Sequence, residues 1–447
     1  LGAKYDKFTD NGRWSWIVSR NMLSNRAFKH VDNDVNLPLT LDYRSQEMEN
    51  KLRLERRLYG EEGFKLTWGA QYEFAKFNNR TYSQRYLFLQ DTLVEVDFES
   101  EFDLHKYGAF VQASQSLAEG RVTLSGGLRV DGNEVNKSMA NPLRQLSPRV
   151  ALRWRFAPRW SFNANGGRYF QLPSYLVLGF VDGGQRVNQA DARYTQCDQA
   201  VAGLRFDWGE RNTTFGLEGF YKSYQGSPVS RETGIALANL GADFGVVGNE
   251  AVSFDGVGRS YGMEFLAQRR LYKGVYGLLA YTWVRSEYEF EGQNAPSAWD
   301  SRHIVSATGG AKLKRDWEIG MRWLYSGGLP YTPYDLGVSM DREYWDSQGV
   351  PQLNYASLNA NRNASFSQLD LRIDKKWFFE RWSLDVFMDI QNLFSQVPDA
   401  PPALDVVRDP ASGVPIPDNQ DPTRYQPRYI NAGAGTVVPA IGLIVEL

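Results

Sequence analysis

Across residues 64–74 the chain alternates without a slip. Phe64, Leu66, Trp68, Ala70, Tyr72 and Phe74 fall on one side of an extended backbone, Lys65, Thr67, Gly69, Gln71 and Glu73 on the other. Successive side chains of a strand point to opposite faces, whereas a helix would repeat near every 3.6 residues. The same two-beat pattern returns at 122–130, 150–156, 275–283 and 382–390. Strands of about ten residues with one apolar and one polar face suit hydrocarbon on one side and water on the other. The pattern predicts an all-β fold, a transmembrane antiparallel β-barrel.

A soluble chain of 447 residues would ordinarily split into two or more domains. No uninterrupted apolar run approaches the ~18 residues that a membrane helix needs. A closed barrel needs none, because its backbone groups are satisfied between strands and only half its residues must be apolar. Aromatic residues make up 14% of the chain, in keeping with the Tyr and Trp girdles that barrels place at both water interfaces. A net charge of −2 argues against a general nucleic-acid binder, which carries a basic excess. The single cysteine, Cys197, has no partner for an internal disulfide and reads as a packing residue. Leu1 opens the sequence with no secretion signal, so a processed or partial chain is expected.

Connections of two lengths separate the strands. Tight, turn-rich joints fall at 9–12, 59–63, 118–120, 157–159, 209–212, 271–274, 314–316 and 379–381. Long polar segments fall between them, near 23–45, 78–102, 132–146, 171–193, 224–255, 288–301, 328–365 and 395–437. Up-and-down strands with short periplasmic turns and long extracellular loops produce this alternation. About seventeen strands follow, with the apolar stripe Ile441, Leu443, Val445 and Leu447 in the last and a periplasmic C-terminus. An odd set leaves first and last strands running the same way, and an open edge is not viable in lipid. Either strands precede Leu1 or the count is off by one.

Four stretches carry a family likeness. Leu146-Ser147-Pro148-Arg149 with Gly167-Arg168-Tyr169-Phe170-Gln171-Leu172-Pro173 is similar to an "SPR…GRGFRAPS" strand pair, and 258–264 with Tyr281-Thr282-Trp283 to a "GRSYGVE…YTW" hairpin. Residues 299–303 leading to 325–332 resemble "DQRH…SGLPYT", and 369–375 with 389–394 resemble "LDLRVDK…DVQNLF". In this order the chain resembles the barrel of TonB-dependent outer-membrane receptors, in a branch common among Bacteroidetes-like bacteria, over roughly residues 46 to 447. The resemblance implies about twenty-two strands in the whole barrel, which this chain would enter near the sixth. It also implies a plug, a TonB box and first strands outside residues 1–447, which are then a partial barrel. The family's usual terminal Phe is Leu447 here.

The implied function is receptor-mediated, TonB-dependent uptake of a large scarce nutrient across a Gram-negative outer membrane. Siderophore-bound iron, a cobalamin-like molecule, an oligosaccharide and a peptide all fit. Implied partners are outer-membrane lipid, the TonB–ExbB–ExbD complex, the extracellular nutrient and a surface lipoprotein; nucleic acid is not among them. A plugless passive pore and a barrel-anchored adhesion or assembly protein are the alternatives. No enzyme motif, catalytic residue, metal site or cofactor is expected. His30, His105 and His303 lack ligand spacing, and His303 reads as a strand-start residue. The acidic runs 341–346 and 418–421 lack the spacing of a calcium loop and read as solvated charge.

Aromatic and basic residues on long loops are the ligand-binding candidates, since binding concentrates on loops held by a rigid scaffold. They are Tyr175, Phe180 and Arg186 in one loop, and Tyr331, Tyr334, Tyr344 and Trp345 in another. Arg121, Arg149, Arg153, Arg155, Arg205 and Arg322 occupy polar strand faces. There they are expected to line a wet interior, paired with Glu218, Glu264, Asp370 or Asp385.

Overall fold

In the computed structural model the described residues are all but 32–33, 88–91, 241–246, 398–399 and 431–432. Seventeen strands form one antiparallel meander in which each main strand pairs with the next. β1 to β6 are Gly2–Thr9, Gly12–His30, Leu39–Tyr59, Lys65–Leu87, Thr92–Leu117 and Val122–Asn133. β7 to β12 are Ser147–Ala157, Trp160–Gln171, Thr195–Trp208, Thr213–Ser230, Val252–Tyr272 and Val275–Phe290. β13 to β17 are His303–Lys312, Trp317–Ser326, Phe366–Phe378, Ser383–Gln391 and Val438–Glu446. A short flap, Gln293–Pro296, adds to the end of β12. Among the described residues β1 and β17 do not pair with each other, so the sheet keeps two edges.

All eight tight joints fall where the turn chemistry placed them, on one rim. At one of them, Lys273 and Gly274 both take positive φ, 49° and 80°. That is the two-residue hairpin turn whose twist matches its strands. All the long connections lie on the opposite rim. Two of them are much shorter than the sequence implied. The expected loop at 23–45 is mostly ladder, since β2 runs to His30 and β3 starts at Leu39. The loop expected at 78–102 is strand ladder up to Leu87 and from Thr92, in register from Lys65↔Ser114 through Leu87↔Thr92; its residues 88–91 lie outside the described residues. Strand pairing continues here well past the roughly ten residues that cross hydrocarbon.

The apolar face of the sheet is the outer one. Near the short-turn rim its aromatics pack in pairs, with ring centroids 4.9 Å apart for Trp160 and Phe206 and 4.1 Å for Phe379 and Trp382. Near the other rim Tyr221, Tyr261 and Trp283 form a second group at 6.4 and 6.0 Å. Arg56 shares the outer face at the short-turn rim. Its guanidinium lies 5.2 Å over the Trp14 ring and donates to Thr9 Oγ1 and Asn11 Oδ1 at 3.0 and 2.9 Å. A long cationic side chain thus keeps its stem in lipid and its head at the water boundary.

Candidate functional site

Two arrangements on the inner face can meet a solute: the strand wall and the loops folded over its mouth. On the wall, Arg205 pairs with Asp207 at 2.9 Å and Arg129 with Asp131. Arg322 reaches Asp370 at 4.0 Å, the one ion pair between the expected arginines and the expected carboxylates among the described residues. Arg149 stacks on Tyr169, 4.3 Å from the ring centroid, instead of on a carboxylate. Among the described residues Arg121, Arg153 and Arg155 form no ion pair. On the β6–β9 part of the wall Arg153 still feels Asp207 electrostatically, while Arg121 and Arg155 stay outside any ion pair among the described residues. The β15–β17 part is balanced by pairs such as Arg372–Asp374 at 2.7 Å and Lys376–Glu446 at 2.6 Å.

Higher on the wall the loops turn inward. The loop between β8 and β9 carries helix α2 (Tyr175–Gly179), whose Val177 N–H is capped by Ser174. α2 lies against Ala75, Phe77, Phe102 and Leu104 of β4 and β5. The Tyr175 ring packs tilted against Phe77 and edge-on to Phe102, with centroids 6.1 and 6.2 Å away. Its hydroxyl donates to Glu49 Oε1 at 2.9 Å and accepts from Lys106 Nζ at 2.5 Å. Lys106 also pairs with Glu73, and Lys51 bridges Glu49 and Glu73 at 2.7 and 3.4 Å. Burial and the Glu49 carboxylate push the Tyr175 hydroxyl far above the ordinary phenol range, so it stays a donor. Two asparagines fasten neighbouring loops to the same unit. Asn136 donates to Gln189 and Ala192 carbonyls, and Asn188 to those of Val177 and Glu250.

A second unit joins the two longest loops. Met340, Trp345, Leu404, Val406 and Tyr425 form its core, with Tyr334 packed at its edge. Asp341 caps the helix at Arg342–Gln348 through Tyr344 N–H at 3.0 Å, and Asp346 accepts from Tyr425 Oη at 2.9 Å. Asp418 and Asp421 accept backbone N–H groups of their own turns. Asp341, Asp418 and Asp421 of the acidic runs are thus committed to a cap and to turns. Asp300, fully buried, ties this side to the wall. It accepts Ser286 N–H at 2.8 Å, lies 3.4 Å from Arg285 Nε and pairs with Arg362 of the long loop. The next residue but two, His303, opens β13 and stacks on Tyr281, with 2.9 Å between its Nδ1 and the phenol oxygen.

The seven loop candidates separate. Tyr175 and Phe180 are buried in the first unit, the latter edge-on to Phe98 at 5.4 Å. Tyr344 and Trp345 are buried in the second, where burial pushes the Tyr344 hydroxyl up to about 12. Arg186 is exposed, donates to the Glu101 carbonyl at 2.9 Å and lies over Phe102. Tyr331 and Tyr334 come together on a cavity of about 330 Å³ with Tyr355, a residue outside the seven candidates. Asn239 and Asn359 line it too; nothing in their local sequence set them apart from other loop polar residues.

Comparison with known proteins agrees with this architecture. A family described as TonB dependent receptor-like, beta-barrel matches residues 1–434. No curated protein sequence matches the chain. Among solved structures, the chain is similar to the ferripyoverdine receptor of the Pseudomonas aeruginosa outer membrane at 11% identity and a TM-score of 0.63. That likeness covers 100% of this chain and 56% of the receptor. It is similar to the ferric yersiniabactin uptake receptor FyuA of Yersinia pestis at 10% identity and a TM-score of 0.60, covering 100% of this chain and 61% of that one. For the copper transporter OprC the values are 15%, 0.59, 88% and 60%. At such identities the likeness is one of fold, and the chain spans little more than half the length of these receptors.

Proposed function

The chain belongs to the TonB-dependent receptor-like β-barrel family, and from that premise we propose that the whole protein takes up a large, scarce nutrient across a Gram-negative outer membrane. The observation that carries this reading is the family match over nearly the whole chain, joined to a polar inner wall roofed by packed loops. The long-loop rim faces outward and binds the solute, and the C-terminus lies on the periplasmic side. The solute passes along the lumen, energised through the TonB–ExbB–ExbD complex, with a surface lipoprotein as a further partner. Chelated iron, a cobalamin-like molecule, an oligosaccharide or a peptide is the class of cargo, and no bond in it is made or broken. Tyr331, Tyr334 and Arg186 are the loop candidates placed to meet it. Tyr175, Phe180, Tyr344 and Trp345 act by holding the loops in shape.

Uptake by whole cells carrying the full-length gene, with and without TonB, tests the reading. Accumulation that depends on TonB is expected, and equal uptake in both strains contradicts energised transport.

A further inference from the structure

A lipid-facing surface ordinarily carries large apolar side chains, and near the short-turn rim one patch of the outer face withholds them. Gly277 of β12 lies opposite Gly309 of β13 in register. In the next row Leu279 has Ala267 on one side and Ala307 on the other, and in the row before it Ala311 faces Val275. These positions are in phase with Tyr261 and Trp283, so they point outward. Phe215, Leu279, Met321 and Leu371 stand around them, leaving an open apolar hollow of about 770 Å³. Glycine inside a strand weakens it and often marks a place that something else approaches closely.

The rim end of the hollow is cationic. Arg211, on the turn between β9 and β10, and Arg269, in register between Thr213 and Gly277, both line it. The Arg211 guanidinium lies 4.1 Å over the Trp208 ring. That of Arg269 lies 5.1 Å over Tyr272 and donates through Nη2 to the Tyr272 carbonyl at 3.3 Å. Lys273 adds a third charge, 5.6 Å from the same ring. No carboxylate lines the hollow among the described residues, and neither arginine forms an ion pair there. Glu210, the acid beside Arg211, is held by Arg159 at 2.5 Å.

Charge decides the occupant. A lipid tail gains little by moving from the bilayer into the hollow, because tails are as apolar as its walls. The selection is made at the head, where two guanidiniums without a protein anion match phosphate oxygens, which arginine grips in bidentate fashion. Basic sites at the membrane boundary favour a head group of net negative charge over a zwitterionic one. A second hollow on the same outer face, across β5 to β8, gives the contrast. It measures about 520 Å³ and is also floored by small residues, Gly126 among them, but no charged residue lines it. It has room for a tail and nothing to hold a head.

We propose that the β10–β14 hollow is a binding site for one anionic glycerophospholipid, its tail over Gly277 and Gly309 and its phosphate at Arg211 and Arg269. The proposal needs a barrel in lipid and is independent of the cargo and of TonB.

The test is native mass spectrometry of the purified full-length protein, released from bilayers of equal phosphatidylglycerol and phosphatidylethanolamine. One retained phosphatidylglycerol is expected, preferred by roughly ten-fold or more, about five-fold of it from each arginine. Arg211→Gln with Arg269→Gln should bring retention down to the level of phosphatidylethanolamine. Gly277→Leu should fill the hollow and displace the lipid with both arginines intact. A Cβ at Gly277 meets Thr308 O at 3.4 Å and Gly309 Cα at 3.7 Å, ordinary contacts that the strand accommodates. Gly126→Leu fills the uncharged hollow and is the control, with phosphatidylglycerol retention unchanged. Heat-modifiable migration on gels reports folding, and if a variant does not fold, the other variant and the wild-type preference decide. Equal retention of the two lipids by the wild type overturns the site. So does a preference that survives in the folded arginine variant. A preference that survives Gly277→Leu overturns it as well, since it would reflect general attraction to the rim.

Discussion

The lower and upper halves of the β4–β5 hairpin are made by the same ladder and carry opposite chemistry. Below about residue 75, β4 points Leu66, Trp68, Ala70 and Tyr72 outward and Thr67, Gln71 and Glu73 inward. Above it the outward residues are Lys76, Asn78 and Arg80, while Ala75 and Phe77 turn buried apolar side chains inward. β5 inverts in step. Its outward Val111, Ala109 and Tyr107 give way to Asp103, Glu101, Glu99 and Asp97, and Leu104, Phe102 and Phe98 appear inside. Lys76 pairs with Glu101, and Arg80 with Asp97 at 3.0 Å, on the outer surface. The strand does not change; its surroundings do. Hydrocarbon lies outside and water inside in the lower half. In the upper half water lies outside, and packed loops fill the interior.

Substitutions in the two halves should therefore behave differently. Phe77 is 1% exposed in the upper interior. Phe77→Ala is expected to cost about 3–5 kcal/mol of loop packing, because it removes a large buried side chain and leaves a cavity. The loss should appear as faster amide exchange in the loop between β8 and β9, with the lower ladder unchanged. Ala70→Arg places a charge on the outer face in the middle of the lower half. It should destabilise the barrel in lipid vesicles by about 2–4 kcal/mol in urea titrations, whereas Asn78→Arg on the upper outer face should stay within about 0.5 kcal/mol.

The same inversion explains what could be read from the sequence and what could not. Alternation with apolar residues facing lipid was legible at 64–74, and turn chemistry located all eight tight joints. In the upper hairpin the apolar residues change phase, and Lys76, Arg80 and Glu99 look like loop charge when read as a lipid-facing strand. The ladder there therefore reads as loop in the sequence. The candidate site was partly legible. Tyr331 and Tyr334 stood out as loop aromatics and do share a cavity. Tyr175 and Trp345 stood out equally and are buried in the loop cores, because a sequence does not distinguish an aromatic that a loop buries from one that it leaves open. Asn239 and Asp300 depend on contacts from distant loops, which no local pattern announces.

Smaller effects sharpen the contrast. Tyr175→Phe keeps the ring between Phe77 and Phe102 and removes the hydroxyl that Glu49 and Lys106 share. A loss of about 1.5–3 kcal/mol is expected in docking of α2, read as increased exchange at 175–179. Breaking the exposed Lys76–Glu101 pair by Glu101→Gln should cost less than about 1 kcal/mol, since surface ion pairs contribute little. A large effect there would mean that this surface is shielded from water.

The most direct measurement is a spin-label scan along β4 in a lipid bilayer, with the native thiol removed by Cys197→Ser and labels placed one at a time from residue 66 to residue 80. Labels at 66, 68, 70 and 72 should collide with a lipid-soluble relaxer, and those at 76, 78 and 80 with a water-soluble one; the switch should fall near residue 75 and keep the two-residue period throughout. Lipid exposure that continues through residue 80, or a period that breaks at the boundary, would contradict a single continuous ladder passing from hydrocarbon into water.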